Sequence, residues 1–388
     1  MRWCSTLHSG DQIKEIMRAS IAELAVALTG ASPRLVFAFF SCPLSEEEGH
    51  ALGILREAFP AAEVVGCTGR GVVGAALQKE NESSISLTAA VMSDVELVQC
   101  HISPEQLPKD SAGWLEQLGI DPDLEPGLIV LSVGGEHGLQ SSLSELAKAY
   151  PRAPVAGGLV SRRHGESDCR LIQNEKLHEE GVLVLALYGD LEMVSVIAQS
   201  GRPVGTPLLV TRAEGNQIYE LDGRPALRMM QAVYENMQPE DRELFQRGPL
   251  VGRVLDSPGS AQEYLFGEVI GVHRPSGMFT AGWEVSALQT IQFFVRDPVH
   301  ASQSLADQLQ KVKRAPGEII GGVLFVCVAR GEQFFGVPSH DGRLFQAMFE
   351  TDSLGGVFCE GEIGGASGRA HMLAHTSSFA LFKRREWS

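Results

Sequence analysis

The sequence has no long hydrophobic run. Its longest strongly apolar segment, VLVLALY at residues 182–188, is far shorter than the roughly 20 residues that a helix needs to cross a bilayer. The first residues, MRWCSTLHSGD, lack the basic segment, the apolar core and the small-residue cleavage site of a secretory signal. We therefore expect a cytoplasmic protein without membrane insertion.

Positive charge and paired cysteines are also scarce. The 32 Lys and Arg residues are outnumbered by 48 Asp and Glu residues, which gives a formal net charge of −16. Nucleic acids and anionic membrane surfaces are bound by clustered cations, so we expect neither as a partner. The seven cysteines include no C-x-x-C pair, and an odd number without an export signal favours reduced thiols over disulfides or structural zinc.

Several motifs of catalysis and cofactor binding are absent as well. The chain has no P-loop and no G-x-S-x-G elbow, and its GCTGRG segment departs from the dinucleotide fingerprint G-x-G-x-x-G. His371 and His375 are four residues apart, but their segment alternates like a strand and has no carboxylate between them as in H-E-x-x-H. We therefore expect no cofactor and no metal.

One pattern occurs three times, over residues 34–74, 127–162 and 321–365. In each copy an apolar, strand-like run leads into a helix-like segment, which leads into a second apolar run ending in glycines. Strand–helix–strand units predict parallel strand pairs joined by right-handed crossovers. Because open α/β sheets bind ligands beyond the carboxyl ends of such strands, the repeats also predict where a site lies.

The remaining segments indicate how the repeats are completed. Apolar residues at helical spacing predict a helix over 11–28, and two strand-like runs flanking Ser93 and Asp94 predict a hairpin. Proline and glycine residues place a domain boundary near 195–205. The sequence predicts a mixed α/β (α+β) fold: two related domains with mixed β-sheets flanked by helices, the sheets packed face to face in αββα layers.

Two of the glycine-rich segments carry a cysteine where the apolar run ends. These are Cys67 in GCTGRG and Cys359 in CEGEIG. Glycines allow backbone N–H groups to approach a ligand, and a thiol there could be a nucleophile, a ligand contact or a redox group. The alternative is a tight turn in which cysteine is a small apolar filler.

Charged residues also follow the predicted strands. Four arginines lie at or just past strand ends: Arg70, Arg162, Arg163 and Arg330. A guanidinium suits a carboxylate or phosphate, whereas Glu360 and Glu362, which would share one face of an extended segment, could receive an amine. Such a set would suit a zwitterion, and the alternative for each residue is a solvent-facing surface position.

These motifs resemble the FIST family. The similarity is carried by VVGCTGRGVVG, GGLVSR, LFVCVARG, and GGVFCEGEIGG with HMLAHTSSFALF, and it covers nearly the whole chain. It implies an N-terminal FIST domain over residues 30–200 and a C-terminal one over 205–375, without an F-box or a kinase. FIST domains occur in bacterial signalling proteins and are associated with small molecules such as amino acids, so the resemblance implies a ligand-binding sensory module.

The resulting hypothesis is a non-catalytic sensory module that binds an amino acid or a related small carboxylate and acts through a signalling partner protein. The alternatives are a cysteine-dependent enzyme or redox protein and a protein-interaction adaptor. The candidate ligand contacts lie in the glycine-rich segments and near the C-terminus: Cys67, Thr68, Arg70, Gly71, Gly158, Ser161, Arg162, Cys327, Arg330, Cys359, Glu360, Glu362 and His375.

Overall fold

A computed structural model describes residues 1–41, 46–134, 136–161, 169–255, 263–365 and 368–386. The chain divides into two compact units. Unit 1 comprises Met1–Ala198, Leu305–Met372 and Thr376–Ser388, and unit 2 comprises Gln199–Ser304 and Leu373–His375. The domain ranges 30–200 and 205–375 follow family motifs rather than compactness, and they stay a prediction.

The first part of unit 1 alternates strands and helices. Its helices are α1 (Ile13–Ala27), α2 (Glu46–Ala58), α3 (Ser111–Leu118) and α4 (Glu136–Ala149). Its strands are β1 (Arg2–Ser9), β2 (Leu35–Phe40), β3 (Glu63–Thr68), β4 (Gly71–Gly74), β5 (Leu77–Glu80), β6 (Ser84–Val91), β7 (Val95–Ile102), β8 (Gly127–Val133), β9 (Val155–Val160), β10 (Leu171–Gln173), β11 (Lys176–His178), β12 (Gly181–Gly189) and β13 (Leu191–Gln199).

The rest of the chain contains the elements of unit 2 and the second part of unit 1. The strands are β14 (Gly201–Glu214), β15 (Gln217–Leu221), β16 (Arg224–Pro225), β17 (Leu250–Leu255), β18 (Glu263–His273), β19 (Met278–Ala281), β20 (Thr290–Arg296), β21 (Ile319–Cys327), β22 (Leu354–Gly365), β23 (His371–Leu373) and β24 (Thr376–Arg384). The helices are α5 (Ala226–Glu235), α6 (Pro239–Arg247), α7 (Pro298–Arg314), α8 (Glu332–Phe335) and α9 (His340–Phe349). None of the described helices combines the length and the apolar character that spanning a membrane requires.

Unit 1 contains two mixed sheets. Sheet 1 has the order β1-β6-β2-β3-β10-β11, and sheet 2 runs β13-β24-β21-β22-β9-β8-β12-β7, with β4, β5 and β23 attached beside β22. The three repeats form three parallel pairs, β2–β3 in sheet 1 and β8–β9 and β21–β22 in sheet 2. The repeated pattern therefore lies within unit 1, and the predicted strand–helix–strand units are confirmed.

A glycine occupies the same place in each parallel pair. Gly66, Gly157 and Gly356 each oppose the middle of the preceding strand, where an added Cβ would lie 1.7 Å, 1.8 Å and 2.0 Å from a carbonyl oxygen of that strand. No side chain fits at that distance, so the two backbones can approach only at glycine. At these three positions, the glycines near the end of each repeat are therefore needed so that the two parallel strands can pack closely.

The two sheets pack face to face in αββα layers. Phe37 and Phe39 of sheet 1 share one buried cluster with Phe325 and Phe382 of sheet 2. The opposite face of sheet 1 packs against α1 and α2. The opposite face of sheet 2 packs against α3 and α4 at one end and against α9 and the second half of α7 at the other. The central strands β2, β8 and β21 are largely apolar because both of their faces are buried.

Unit 2 is built from antiparallel strands. Successive pairings run β14-β20-β17-β18-β19-β15, and β15 also pairs with β14, so the ring of strands closes on itself. Its interior is filled by aromatic and aliphatic side chains, among them Phe279, Phe293 and Val251. Phe245 of α6 and Ala226 of α5 belong to the same cluster, so both helices pack on this ring.

The hairpin predicted at Ser93 and Asp94 is wrong. The runs on either side do form strands, but β6 pairs in sheet 1 and β7 in sheet 2, so the chain crosses between sheets at this point. Asp94 has a φ of 57°, a left-handed conformation that aspartate tolerates and that redirects the backbone. The helix predicted over 11–28 is confirmed as α1.

Candidate functional site

The candidate site lies where β21 and β22 stop pairing. Their last parallel pair is Cys327 with Cys359, and both side chains are buried. Beyond Cys327 the chain forms a short 3₁₀ helix, Val328–Arg330. This is the carboxyl end of β21, the position at which open α/β sheets build ligand sites.

Arg330 forms a buried ion pair with Asp341 at the start of α9. Its Nε and Nη2 atoms each donate to a different carboxylate oxygen over 3.2 Å, and neither side chain is exposed. Ser377 Oγ of β24 donates to the same carboxylate. Although burial alone would raise the pKa of Asp341, the Arg330 charge and the hydrogen bonds from His340, Ser377 and Arg330 lower it to about 2.

The first turn of α9 is held by Gln78 of β5. Gln78 Oε1 accepts the backbone N–H groups of Asp341 and Gly342 over 3.1 Å and 3.3 Å, which satisfies two donors at the helix start. His340 Nδ1 lies 2.8 Å from Asp341 Oδ1, and its ring stacks on Phe335 with centroids 3.7 Å apart. The imidazole of His340 therefore has a fixed orientation.

Glu362 is the unusual group of the site. Its side chain is fully buried, and one carboxyl oxygen, Oε2, accepts the backbone N–H of Thr376 over 3.1 Å. The thiol of Cys327 also forms a hydrogen bond with the Glu362 side chain. The other oxygen, Oε1, has no hydrogen-bond partner among the described residues. Burial raises the pKa of Glu362 well above its usual range despite these bonds and the nearby charge of Arg330.

The segment CEGEIG is part of a strand. β22 continues through it and pairs with β9. The register shifts between Cys359 and Gly361, and this irregularity changes the alternation of side chains. Glu362 is consequently buried while Glu360 is exposed, so the prediction that they share one face is wrong.

Cys67, Cys327 and Cys359 lie in the core around this strand. Cys67 lies in β3, and burial raises its pKa, with a further contribution from Cys169. Burial also raises the pKa of Cys359, and the charge of Glu362 adds to the effect. An added Cβ at Gly158 would lie 2.3 Å from Cys359 Sγ, so this glycine makes room for the thiol. The structure thus brings Gly158, Cys327, Arg330, Cys359 and Glu362 together.

Other predicted contacts are engaged elsewhere in unit 1. The turn after β3 is tied down by Thr68 Oγ1, which accepts the Arg170 backbone N–H over 2.9 Å, and by Ser161 Oγ, which accepts that of Arg70 over 2.8 Å. The Arg70 side chain donates to Asn81 over 3.1 Å. At Gly71 an added Cβ would lie 2.6 Å from a backbone oxygen. Arg162 and Arg163 lie outside the described residues.

His375 belongs to unit 2. Its Nε2 lies 3.1 Å from Glu268 Oε1, and its backbone oxygen accepts both the hydroxyl and the N–H of Ser200. The His375 hydrogen bond and charge lower the pKa of Glu268. His375 has a φ of 54° and interrupts the predicted final strand, which is divided into β23 and β24.

Sequence reasoning missed Asp341, His340, Gln78 and Ser377. The available signal was an acid in the first turn of the helix that follows the VCVARG segment, because a carboxylate there is favoured by the helix dipole and lies close to the preceding strand end. Nothing in the sequence indicates a role for Gln78, since the residues of α9 that it contacts lie more than 260 positions further along the chain. Among the described residues, no three His, Cys, Asp or Glu side chains are grouped to hold a metal ion.

Two family models match this chain. The FIST N domain covers residues 34–224, and the FIST C domain covers residues 226–365. The chain belongs to the FIST family. FIST domains are generally described as sensory domains for small ligands. Within this FIST protein, Arg330, Asp341 and Glu362 lie in the part of unit 1 that the FIST C model covers, whereas Gln78 and Gly158 lie in the part that the FIST N model covers.

Known relatives include bacterial and plant proteins. An uncharacterized protein of Mycobacterium tuberculosis is 29% identical over 378 residues, covering 95% of this FIST protein and 97% of the relative. A Mycobacterium bovis protein, also uncharacterized, is 34% identical over 60% of this chain and 61% of its own. An F-box/LRR-repeat protein of Arabidopsis thaliana is 27% identical over 54% of this chain and 41% of its own.

Among solved structures, two of cyanuric acid hydrolase align with this FIST protein at 8% identity. Each alignment covers 99% of this chain and 100% of the hydrolase, and one of the two enzymes comes from A. caulinodans. The TM-scores are 0.36 and 0.34. Scores this low support no comparison of function.

Proposed function

We propose that this FIST protein is a sensory module that binds an amino acid, or a related small carboxylate that also carries an amino group, without catalysing a reaction. The observation that carries the proposal is Glu362, a fully buried carboxyl whose Oε1 has no partner among the described residues. A buried polar oxygen without a hydrogen bond costs about 1–3 kcal/mol. A ligand N–H group placed at Oε1 would remove this penalty.

The position of Glu362 supports a binding role. Glu362 lies in β22, three residues after Cys359, the last residue of β22 that pairs with β21. It lies beside the 3₁₀ helix that carries Arg330. The nearby side chains of Arg330 and Asp341 are paired with each other and are shielded from solvent. A fixed surrounding of this kind recognises a ligand without losing side-chain entropy on binding.

The thiols favour binding over cysteine catalysis. The thiolate is the reactive form of cysteine, and burial raises the pKa of both Cys67 and Cys359. Burial therefore disfavours the reactive thiolate form of both residues in the folded protein. The proposal accordingly assigns them to packing around the site, and it assigns signal output to a partner protein in the cytoplasm.

Thermal unfolding tests the proposal. The purified protein is titrated with glycine, L-alanine and L-glutamate, and with propionate as a carboxylate that lacks the amine. A ligand that binds only the folded state stabilises it by about 2.7 kcal/mol at a hundredfold excess over its Kd. We expect at least one amino acid to raise the midpoint and propionate to have a smaller effect.

Matched variants connect the result to the site. Glu362→Gln keeps the size of the side chain and removes its ability to become an anion, so it should abolish the amino-acid shift. Glu318→Gln makes the same change at an exposed residue just before β21 and should leave the shift intact. An equal shift in wild type and Glu362→Gln would place the ligand elsewhere.

A further inference from the structure

The surroundings of Glu362 contain little that could stabilise a negative charge. From β21 the Cys327 thiol faces its carboxyl, and from β22 the flanking groups are the Cys359 thiol and the exposed Glu360. From β24 the Thr376 backbone N–H donates to its Oε2 atom over 3.1 Å. The strand beside it in register, β9, presents Gly158, which has no side chain.

The arginine that acts on Glu362 is paired with another carboxylate. Arg330 acts on Glu362 through its charge, but its Nε and Nη2 donate to Asp341, which is ionised beside it. No ion pair joins Glu362 to a Lys, Arg or His among the described residues. A buried carboxyl under these conditions takes up a proton rather than remain an anion, because an uncompensated charge is poorly solvated there.

We propose that Glu362 carries a proton in the free protein and releases it when the ammonium group of the ligand enters, so that ligand binding is coupled to proton release. This inference rests on the proposed function above. The carboxylic acid and the incoming ammonium become a carboxylate–ammonium pair, and one proton passes to solvent. The neutral acid is thereby replaced by a carboxylate paired with the ligand ammonium, so the negative charge of Glu362 is compensated.

The coupling fixes a direction of pH dependence. At pH values below the pKa of Glu362 in the free protein, each unit of rising pH makes the proton easier to release. The affinity for an amino acid should therefore rise about tenfold per pH unit in that range. It should level off once the free protein has lost the proton.

Infrared spectroscopy tests, without a ligand, whether Glu362 is protonated in the free protein. A difference spectrum between wild type and Glu362→Gln at pH 7 should show the carbonyl band of one protonated carboxylic acid, shifted when the solvent is exchanged for heavy water. A difference spectrum that shows a carboxylate band instead overturns the inference. The Glu318→Gln spectrum serves as the control, since it makes the same substitution at an exposed position.

Calorimetry tests the second half with the amino acid that gives the largest thermal shift. Titrations in phosphate and in Tris, whose ionisation heats differ, should report release of about one proton per ligand. Binding with no proton release overturns the coupling and leaves the proposed function standing. If no amine or amino acid binds, the proposed function fails and the coupling fails with it, whatever the infrared result.

Discussion

The guanidinium of Arg330 and the carboxylate of Asp341 are joined by two parallel hydrogen bonds of 3.2 Å, and neither side chain is exposed. Because Arg330 follows β21 and Asp341 begins α9, the pair fixes the connection between them. The arginine that the sequence offers as a ligand contact thus also has a structural partner. Its direct contact with a ligand stays a prediction.

Removing either partner of this pair should destabilise unit 1. Arg330→Met leaves the Asp341 carboxylate buried without its cation, and such a change costs about 3–5 kcal/mol. The double variant Arg330→Met/Asp341→Leu should lose less than the sum of the single changes. Denaturant unfolding measures both, with Arg152→Met as the control, since its pairs are exposed and contribute about 0–1 kcal/mol. Additive single and double variants would contradict the coupling.

Asp341 should also govern stability in acid. Its pKa of about 2 lies below the usual 3.8, so the folded state binds fewer protons than the unfolded state. Its contribution is complete above about pH 4 and is lost as the pH falls through about 2, on the order of 2 kcal/mol in total. Asp341→Asn should flatten the decline of the unfolding free energy in this window. An unchanged pH profile in this variant would show that the ion pair does not form.

A second pH effect is expected at the edge of the two sheets. The rings of His101 in β7 and His178 in β11 stack with centroids 3.6 Å apart. The pKa of His178 is lowered from 6.5, mainly by burial and further by the nearby positive charges of His101 and Lys176. The unfolded chain therefore binds more protons, and stability falls as the pH drops below 6.5. His178→Phe retains a ring and should weaken this dependence, measured by thermal unfolding between pH 5 and 8. His273→Phe, at an exposed position, is the control.

Thiol reactivity should follow burial. Cys67 and Cys359 are almost completely buried, whereas Cys100 is partly exposed. In the native protein at pH 8, iodoacetamide should modify Cys100 at least tenfold faster than either buried cysteine, because only an accessible thiolate reacts. Mass spectrometry of tryptic peptides gives the three rates. Rapid native labelling of Cys359 would restore the cysteine-enzyme hypothesis.

Two glycine-to-alanine substitutions should change the stability of the protein in opposite directions. Gly356→Ala places a Cβ 2.0 Å from the Leu324 backbone oxygen, which forces the strands apart and should cost about 1–3 kcal/mol. Gly53→Ala in α2 meets nothing within 4 Å and should stabilise the protein by about 0.5–1 kcal/mol. Denaturant midpoints of both variants check the pair of effects. Equal destabilisation would mean that the strand contact is not as close as described.

Local features of the fold could be predicted from the sequence. The three repeats and α1 follow from apolar periodicity, which depends only on neighbouring residues. Sheet membership does not, which explains the wrong hairpin at Ser93 and Asp94: both strands exist, but each is completed by partners far along the chain. A local sequence pattern predicts which residues form a strand, but it does not predict to which sheet that strand belongs.

The candidate site shows the same limit. Glu362 was singled out by its motif, yet its burial depends on a one-residue irregularity in the pairing of β22 with β9, which no local pattern encodes. The pairing of Asp341 with Arg330 could be found only by knowing that α9 begins beside Arg330. The chemistry of the residues was visible in the sequence, and their partners required the tertiary structure.

The pairing of β22 between β21 and β9 has a consequence for synthesis. When a ribosome has produced β8 and β9, the neighbour that β9 requires in sheet 2 is still about 200 residues away. Unit 2 can close its own ring of strands in the meantime, whereas β9, β4 and β13 of unit 1 must wait for β22 and β24. Until those strands are made, the nascent chain exposes unpaired strand edges, which are sites of aggregation.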